Sequence, residues 1–433
     1  MKQFFKMFFA SLLAMVVAGV LVLIVVISIA VSIFSKATTV AEKAAPIAAG
    51  SVLYIDLDKR LHEQGETNSL AAFSDESSFS AGIYDAIRAI DAAGTDNNIK
   101  GIFLKLTQPP NSWATLQQLH QALTAFRSSG KFIYAYGEIV PQRAYYVATA
   151  ADSIFLNPAG FTEFNGLYTT LAFFKGTLEK LNIQPEIFYA GKFKSATEPF
   201  RADKASEANR LQIAEIQQDI WKEFTRAAAR HAGADTATVH QWAASGAIQF
   251  PSDALQHKLV DGLLYLDEVE QRIRTKTGQK ENEKIKYVKL DEYAQHVYGS
   301  RKLNDKRIAV LFAEGEIVDG KGEGDYQIAS EDFVKTIRSI RNNDKVKAVV
   351  MRVNSPGGSA LASEVILHEL QLLRQKKPLI VSMGDLAASG GYYISCQADH
   401  LCHADYDHGE HRCVCHAVQH RRADEEQAGR YVR

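Results

Sequence analysis

The stretch IKGIFLKL, residues 99–106, decides the fold because it recurs as VKAVVMRV at residues 346–353. The same offset of 247 residues, without a gap, relates FIYAYGE at 132–138 to LIVSMGD at 379–385. All four segments are short and mostly apolar, as strands buried on both faces of a sheet are. The chain is therefore interpreted as a tandem duplication.

Helical segments separate the strands in both copies. Residues 114–127 and 360–374 carry leucines at helical spacing, and a long helical stretch at about 206–232 belongs to the first copy. Strands that alternate with helices predict an α/β fold in which helices connect parallel strands. We expect one domain over residues 51–300 and a second over residues 301–399.

The N-terminus predicts a membrane anchor. Residues 8–34 hold no charge, and as a helix they span roughly 40 Å, more than the ~30 Å hydrocarbon core of a bilayer. This run exceeds the apolar core of about 7–15 residues in a cleavable signal peptide. Lys2 and Lys6 favour a cytoplasmic N-terminus, with the rest of the chain outside the cytoplasm. We predict a signal-anchor helix over residues 1–36 and a linker over residues 37–50.

Composition narrows the class of partner. A net charge of −1 over 433 residues gives no reason to expect nucleic acid. The apolar content of 46% is that of a globular protein. All four cysteines lie at or after residue 396, so the body of the chain uses no disulfides. No cofactor is expected.

The role of Ser389 in the stretch MGDLAASGGYYIS, residues 383–395, has two interpretations. One interpretation is a tight strand-to-helix turn, in which Gly390 and Gly391 only let two backbones approach. The other is a catalytic serine on a turn kept bare so that a substrate backbone can reach it. In the first copy, the residues that correspond to Ser389, Gly390 and Gly391 are Gln-Arg-Ala at 142–144, yet the order of strands and helices is the same. This difference between the copies favours the catalytic interpretation.

A serine nucleophile needs a base. Histidine is the usual one, but none of the seven histidines between residues 62 and 368 lies in a serine-peptidase signature. A lysine serves only in its neutral form, so its pKa has to fall from about 10.4 towards neutrality. The stretch GKFKSATEPF, residues 191–200, offers Lys192 and Lys194 after a strand-like run. Their pattern does not separate these two lysines, and it equally fits solvated lysines at a strand end.

Three motifs together resemble the signal peptide peptidase A family: GKFKSATEPF, VNSPGG at residues 353–358, and MGDLAASGGYYIS. The resemblance is to the long form of the family and covers nearly all of residues 1–399. It implies tandem crotonase-like (Clp-protease-like) domains of spiral ββα repeats behind a membrane anchor. It also implies a peptidase with a Ser-Lys dyad, in which Ser389 is the nucleophile and Lys194 is the general base.

The glycines of VNSPGG suit an oxyanion hole. Gly357 and Gly358 can present backbone N–H groups that no side chain blocks. The alternative is a plain Pro-Gly turn, although the first copy has Pro-Pro-Asn in this place. We therefore assign both glycines to oxyanion binding.

The resemblance also implies where the protein acts and on what. The family digests signal peptides left in the membrane after secretion and forms a bowl-like tetramer with an apolar interior. Signal peptides and other apolar peptides are thus the expected substrates, at the inner (plasma) membrane. Two other functions stay open: a non-catalytic membrane scaffold, and a crotonase-type acyl-CoA enzyme. The membrane anchor and the apparent Ser-Lys pair argue against acyl-CoA chemistry.

The segment after Asp399 does not follow the sequence pattern of the first copy. It holds three of the four cysteines and six of the thirteen histidines, but their spacing is irregular for zinc, so no metal site is predicted. The first copy continues as a strand at residues 153–156 with a turn at residues 157–158, and the second copy should do likewise. Instead, DHGEHRCV at residues 407–414 can encode Thr-Thr-Gly-Ser-Ile-Gly-Val in a shifted frame, and the family carries Thr-Gly-Ser-Ile-Gly-Val here. We expect residues 400–433 to be a frameshifted tail, and an incomplete second domain could leave this chain inactive.

Overall fold

The structure is a computed structural model that describes residues 2–40, 46–67, 79–299, 305–324, 326–398 and 400–402. The N-terminal helix α1 (Lys2–Val40) confirms the predicted apolar helix. Its segment Lys2–Val25 is uncovered by the rest of the chain and is long and apolar enough to cross a membrane. Residues 403–433, which hold most of the predicted frameshifted tail, lie outside the described residues.

The first repeat is built on a six-stranded sheet. Its strands follow the order β7-β6-β5-β4-β1-β8, and every neighbouring pair is parallel. The strands are β1 (Ser51–Asp56), β4 (Ile99–Lys105), β5 (Phe132–Val140), β6 (Ser153–Thr162), β7 (Gly262–Leu263) and β8 (Tyr287–Lys289), and β2 (Glu66–Thr67) and β3 (Phe79–Ser80) form a separate antiparallel ribbon.

Ten helices accompany this sheet in the described part of the first repeat. They are α2 (Ile83–Thr95), α3 (Trp113–Arg127), α4 (Gln142–Ala148), α5 (Lys175–Lys180), α6 (Glu198–Arg201), α7 (Glu207–Ala232), α8 (Thr236–Ser245), α9 (Pro251–Gln256), α10 (Leu266–Thr277) and α11 (Leu290–Gly299). The predicted helices at 114–127 and 206–232 are thereby confirmed as α3 and α7.

The second repeat has a five-stranded sheet in the order β10-β9-β11-β12-β13, again parallel throughout. Its elements are β9 (Arg307–Val318), β10 (Gln327–Ala329), α12 (Ser330–Asn342), β11 (Val346–Gly358), α13 (Ala360–Arg374), β12 (Leu379–Ala387), α14 (Gly390–Ser395) and β13 (His400–Cys402). The predicted α/β fold with two repeats is confirmed.

The duplication is visible in the bounds of the elements. Helix α3 and helix α13 start and end 247 residues apart, and so do strands β5 and β12. Each repeat has its own apolar core, since Ile99, Ile102 and Leu104 are buried in the first and Val349 and Val353 in the second. Strand β13 extends the second sheet past the boundary expected at residue 399, at the place where β6 begins in the first repeat.

One turn differs from its prediction. Asn157 and Pro158 do not end their strand, because β6 runs on to Thr162. The pairing with β5 shifts register between Gly137 and Ile139, so the extra residues form a bulge inside β6.

The two repeats contact each other through polar groups. The Arg352 guanidinium of β11 donates to the Glu63 carboxylate of the first repeat at 2.7 Å, and both side chains are almost fully buried. Arg352 also donates to the carbonyl oxygen of Met383 at 2.9 Å. Nearby, the His62 ring stacks on Tyr326, and its Nδ1 lies 2.9 Å from Glu314. These contacts join segments that are far apart in the sequence.

His120 is buried in the first repeat, and we expect it to make the free energy of unfolding depend on pH. Burial lowers the pKa of His120 to about 4, from an ordinary 6.5, and its ring stacks on Tyr146. The native state therefore keeps His120 neutral while the unfolded chain binds a proton, so this contribution to stability is lost as the pH falls from 6.5 to about 4. We expect a relative loss of about 3 kcal/mol over this range.

Denaturant unfolding of the unmodified chain and of His120→Phe, at pH 7 and at pH 4, measures this effect. The variant keeps an aromatic ring but cannot titrate, so its stability should fall less on acidification. Leu123→Ala, which is also buried in α3, is the control. It should lower stability without removing a titratable group, so it should keep the pH dependence of the unmodified chain. Parallel pH curves for the unmodified chain and His120→Phe would contradict the assignment.

Candidate active site

Ser389 lies at the first turn after strand β12 and is the N-cap of helix α14. Its backbone φ is +50°, a conformation that L-residues other than glycine rarely adopt. The side chain is exposed and makes no capping hydrogen bond. Backbone strain of this kind is costly and often marks functional sites. The turn presents the Ser389 hydroxyl to solvent.

The VNSPGG turn packs directly against this serine. Gly357 has a φ of +91°, and a Cβ at this position would lie 2.8 Å from the Cβ of Ser389 and 2.5 Å from the amide nitrogen of Gly390. A Cβ on Gly358 would overlap the carbonyl oxygen of Ile317 in β9. Only glycine allows both backbones to approach this closely. The structure thus places Gly357 against Ser389, and the next residue, Gly358, against β9.

Ser355 links the two turns, and the sequence analysis did not single it out. It is fully buried, and its hydroxyl donates to the carbonyl oxygen of Gly315 at 2.6 Å while accepting the N–H of Gly357 at 3.1 Å. Its own carbonyl oxygen accepts the N–H of Ala388 at 3.0 Å. Ala388, which precedes Ser389, and Gly357 are therefore both held by one buried serine. Its place inside the VNSPGG motif was the signal that could have identified it.

The glycine pair after Ser389 has a different role from the one expected. Gly390 and Gly391 are buried, so they do not leave a bare surface for a substrate. A Cβ on Gly390 would lie 2.5 Å from the hydroxyl of Ser363, and one on Gly391 would lie 2.7 Å from the carbonyl oxygen of Ser355. Gly390 thus lets α14 pack against α13, and Gly391 lets it pack against β11, as the turn interpretation required.

The first repeat has larger residues at the positions of two of these glycines. Arg143 stands at the position that corresponds to Gly390, and its guanidinium donates to the carbonyl oxygen of Asn111 at 2.7 Å. Asn111 in turn corresponds to Gly358. The first repeat therefore has the topology of the serine site without its close contact between backbones.

Lys194 lies on a segment of the first repeat that is not a strand. It is exposed and precedes a short 3-10 helix, Ser195–Thr197, so the expected strand end at Lys192 and Lys194 is wrong. Among the described residues, no hydrogen bond or ion pair joins Lys194 to Ser389. Lys192 lies 5.8 Å from the centre of the Phe193 ring.

Glu198 holds this lysine segment in place. Its buried carboxylate accepts hydrogen bonds from the Ser206 hydroxyl at 2.6 Å and from the Asn209 amide at 2.8 Å, at the start of α7. These hydrogen bonds hold the pKa of Glu198 below its ordinary value. The Glu-Pro-Phe of the lysine motif thus has a structural role, which the sequence analysis missed.

The same segment exposes many large apolar side chains. We call residues 168–200 the arm. Its uncovered apolar residues are Tyr168, Leu171, Phe174, Leu181, Ile183, Phe188, Tyr189, Phe193 and Phe200. Contiguous exposed apolar patches are typical of interaction surfaces.

Comparison with known proteins agrees with these motifs. The sequence profile of Peptidase family S49 matches residues 125–280 and 371–405. Protease 4 of Salmonella typhi is 35% identical over 328 residues, which cover 74% of this chain and 53% of that protein. The chloroplastic serine protease SPPA of Arabidopsis thaliana is 30% identical over 312 residues, 71% of this chain and 46% of that protein. The chain spans about half the length of the curated relatives it matches.

Solved structures show weaker similarity. A membrane-bound stomatin-specific protease, 1510-N, has a TM-score of 0.29 at 13% identity, covering 56% of this chain and 93% of that one. An enoyl-CoA hydrotase/isomerase family protein from Silicibacter pomeroyi also has a TM-score of 0.29, at 14% identity, covering 55% and 83%. Scores of this size support no functional comparison.

The tandem parallel sheets make this an α/β protein, and the curated relatives that it matches are proteases. The chain belongs to peptidase family S49. The family predicted from the three motifs is thereby confirmed.

The close packing at the serine turn leads us to predict that substitution of Gly391 lowers stability. In Gly391→Ala, the added Cβ would lie 2.7 Å from the carbonyl oxygen of Ser355 and 3.0 Å from its Cβ, so the turn has to shift. We expect a loss of about 1–3 kcal/mol in the free energy of unfolding, measured with denaturant.

Gly176→Ala in α5 is the matched control, because nothing lies within 4 Å of the added methyl group. Because alanine has a higher helix propensity than glycine, this substitution should leave the free energy of unfolding unchanged or raise it slightly. Equal stability of the two variants would show that the turns are not closely packed.

Proposed function

We propose that the chain is a membrane-anchored serine endopeptidase that hydrolyses signal peptides and other apolar peptides with a Ser-Lys dyad. The observation that carries the proposal is the exposed Ser389 on a strained turn against Gly357, in a member of peptidase family S49. Family membership favours this function over an acyl-CoA enzyme or a scaffold. Lys194 is assigned through its motif.

In the proposed reaction, the neutral amine of Lys194 takes the proton of the Ser389 hydroxyl as its oxygen attacks the scissile carbonyl carbon. The N–H groups of Gly357 and Gly358 stabilise the negative charge that develops on the carbonyl oxygen. The Gly357 N–H would share its hydrogen with Ser355 in a three-centre bond. The protonated lysine then gives its proton to the leaving amine, and water hydrolyses the acyl-enzyme.

The arm and α1 support the rest of the proposal. An anchored chain meets apolar peptides in the membrane, and the uncovered side chains of the arm suit contact with a second copy. We assign the protein to the plasma membrane, with both repeats on the extracytoplasmic side. Its working form is a homo-oligomer, a tetramer by family resemblance.

Replacement of the two dyad residues tests the mechanism. Ser389→Ala and Lys194→Ala should each reduce hydrolysis of an apolar peptide by roughly a thousandfold or more, because the two residues act as a unit. Lys192→Ala, two residues from the proposed base, is the matched control and should keep most of the activity.

A fluorophosphonate probe provides a second measurement, since it should label the unmodified chain at Ser389. Loss of activity in Lys192→Ala but not in Lys194→Ala would overturn the assignment of the base. Absence of both labelling and hydrolysis in the unmodified chain would contradict the proposed activity for this chain.

Membrane fractionation tests the anchor. The chain should remain with membranes after carbonate extraction, because roughly 20 apolar residues suffice to span a bilayer. Protease added on the extracytoplasmic side should digest both repeats and spare α1. A soluble chain with a shortened N-terminus would show instead that the apolar helix is cleaved.

A further inference from the structure

Asp385 reaches from the second repeat to a helix of the first. It lies near the end of β12, four residues before Ser389. One carboxylate oxygen accepts the N–H of Thr115 at 2.8 Å, and the other accepts the N–H of Ser112 at 3.0 Å and the hydroxyl of Thr115 at 2.9 Å. These three hydrogen bonds join the serine-bearing strand to the N-terminus of α3.

This contact replaces a local helix cap. The first N–H groups of a helix have no partner within it, and the N-cap side chain commonly accepts one of them. In the second repeat, Ser359 does so for α13, because its hydroxyl accepts the N–H of Ala362 at 3.2 Å. The corresponding Ser112 of the first repeat makes no such bond. Helix α3 is capped by Asp385, from the other repeat.

The fold of a single repeat does not need this carboxylate. Glu138 stands at the corresponding position of β5, and its side chain is exposed. An acidic residue here is thus compatible with the repeat without any bond to a helix N-terminus. The role of Asp385 lies in joining the repeats.

The same stretch of β12 has a second connection to the first repeat. Arg352 donates to the carbonyl oxygen of Met383 and forms the buried ion pair with Glu63. Met383 and Asp385 are two residues apart, so the strand is held on both sides of Gly384 just before it leads to Ser389.

We propose that Asp385 is a positioning residue that fixes Ser389 relative to the repeat that carries Lys194. This inference rests on the proposed function, in which the two residues have to meet. Misplacement of reacting groups by about 1 Å can cost up to about a hundredfold in rate. Loss of the Asp385 bonds should therefore reduce catalysis more than it reduces stability.

A rescue experiment separates positioning from capping. Asp385→Ala removes both the link between the repeats and the cap of α3. In Asp385→Ala/Ser112→Asp, an aspartate at the N-cap position can cap α3 locally, but it cannot restore the link. The melting temperature should recover in the double variant, whereas kcat on an apolar peptide should stay about tenfold or more below that of the unmodified chain. Recovery of kcat together with stability would overturn the proposal.

Asp235→Ala is the matched control, since Asp235 caps α8 within the first repeat and accepts the N–H of Thr238 at 2.6 Å. It should lower the melting temperature and leave kcat unchanged. A fall in kcat equal to that of Asp385→Ala would assign the effect to a general loss of stability and contradict positioning.

A distance measurement decides the proposal without reference to activity. Spin labels at the corresponding exposed positions 100 and 347 report the separation of the repeats, in a background where the four cysteines are replaced by serine. We expect a broader distance distribution in Asp385→Ala and in the double variant, and not in Asp235→Ala. An unchanged distribution would overturn the proposal, whereas full hydrolysis by Ser389→Ala would contradict only the proposed function.

Discussion

The close approach of two backbone turns, residues 354–358 and 388–391, is the contact on which the serine site depends. Gly357 and Gly391 are in positions where a Cβ would overlap the opposite turn. Ser355 occupies the buried space between them, and its hydrogen bonds satisfy groups from both sides. Residues 354–358 form the carboxyl end of β11, and residues 388–391 follow the carboxyl end of β12. The two strands are parallel neighbours, so both turns lie at one edge of the sheet. The strained backbone of Ser389 is supported by this packing.

The tandem duplication separates what folding requires from what the site adds. The first repeat builds the same strand–helix order with Arg143 and Asn111, whose side chain and carbonyl group fill the place of the close backbone contact. Parallel strands and crossover helices are therefore compatible both with a close backbone contact and with a side chain in its place. The glycines and Ser355 of the second repeat adapt a shared architecture so that an exposed serine can stand on a rigid support.

The interface between the repeats is polar where the serine-bearing strand crosses it. Burying Glu63 and Arg352 removes both charges from water, and burial raises the pKa of Glu63 although Arg352 opposes that shift. The hydrogen bond from Arg352 to Met383 helps to offset this cost. Directional bonds of this kind, together with those of Asp385, specify one arrangement of the repeats, whereas apolar contacts alone would tolerate several.

The sequence by itself determined the repeat offset, the bounds of α13, those of α3 to within one residue, and the position of Ser389 at a helix start. Periodicity and repetition are local properties of a chain, and they can be recognised without its tertiary structure. Its motifs also identified the family. Only the tertiary structure showed that Gly390 faces inward and that Lys194 lies on an exposed arm rather than a strand. It alone showed that Asp385 caps a helix some 270 residues away in the chain. Side-chain direction and contacts between distant segments depend on packing, which no local pattern encodes.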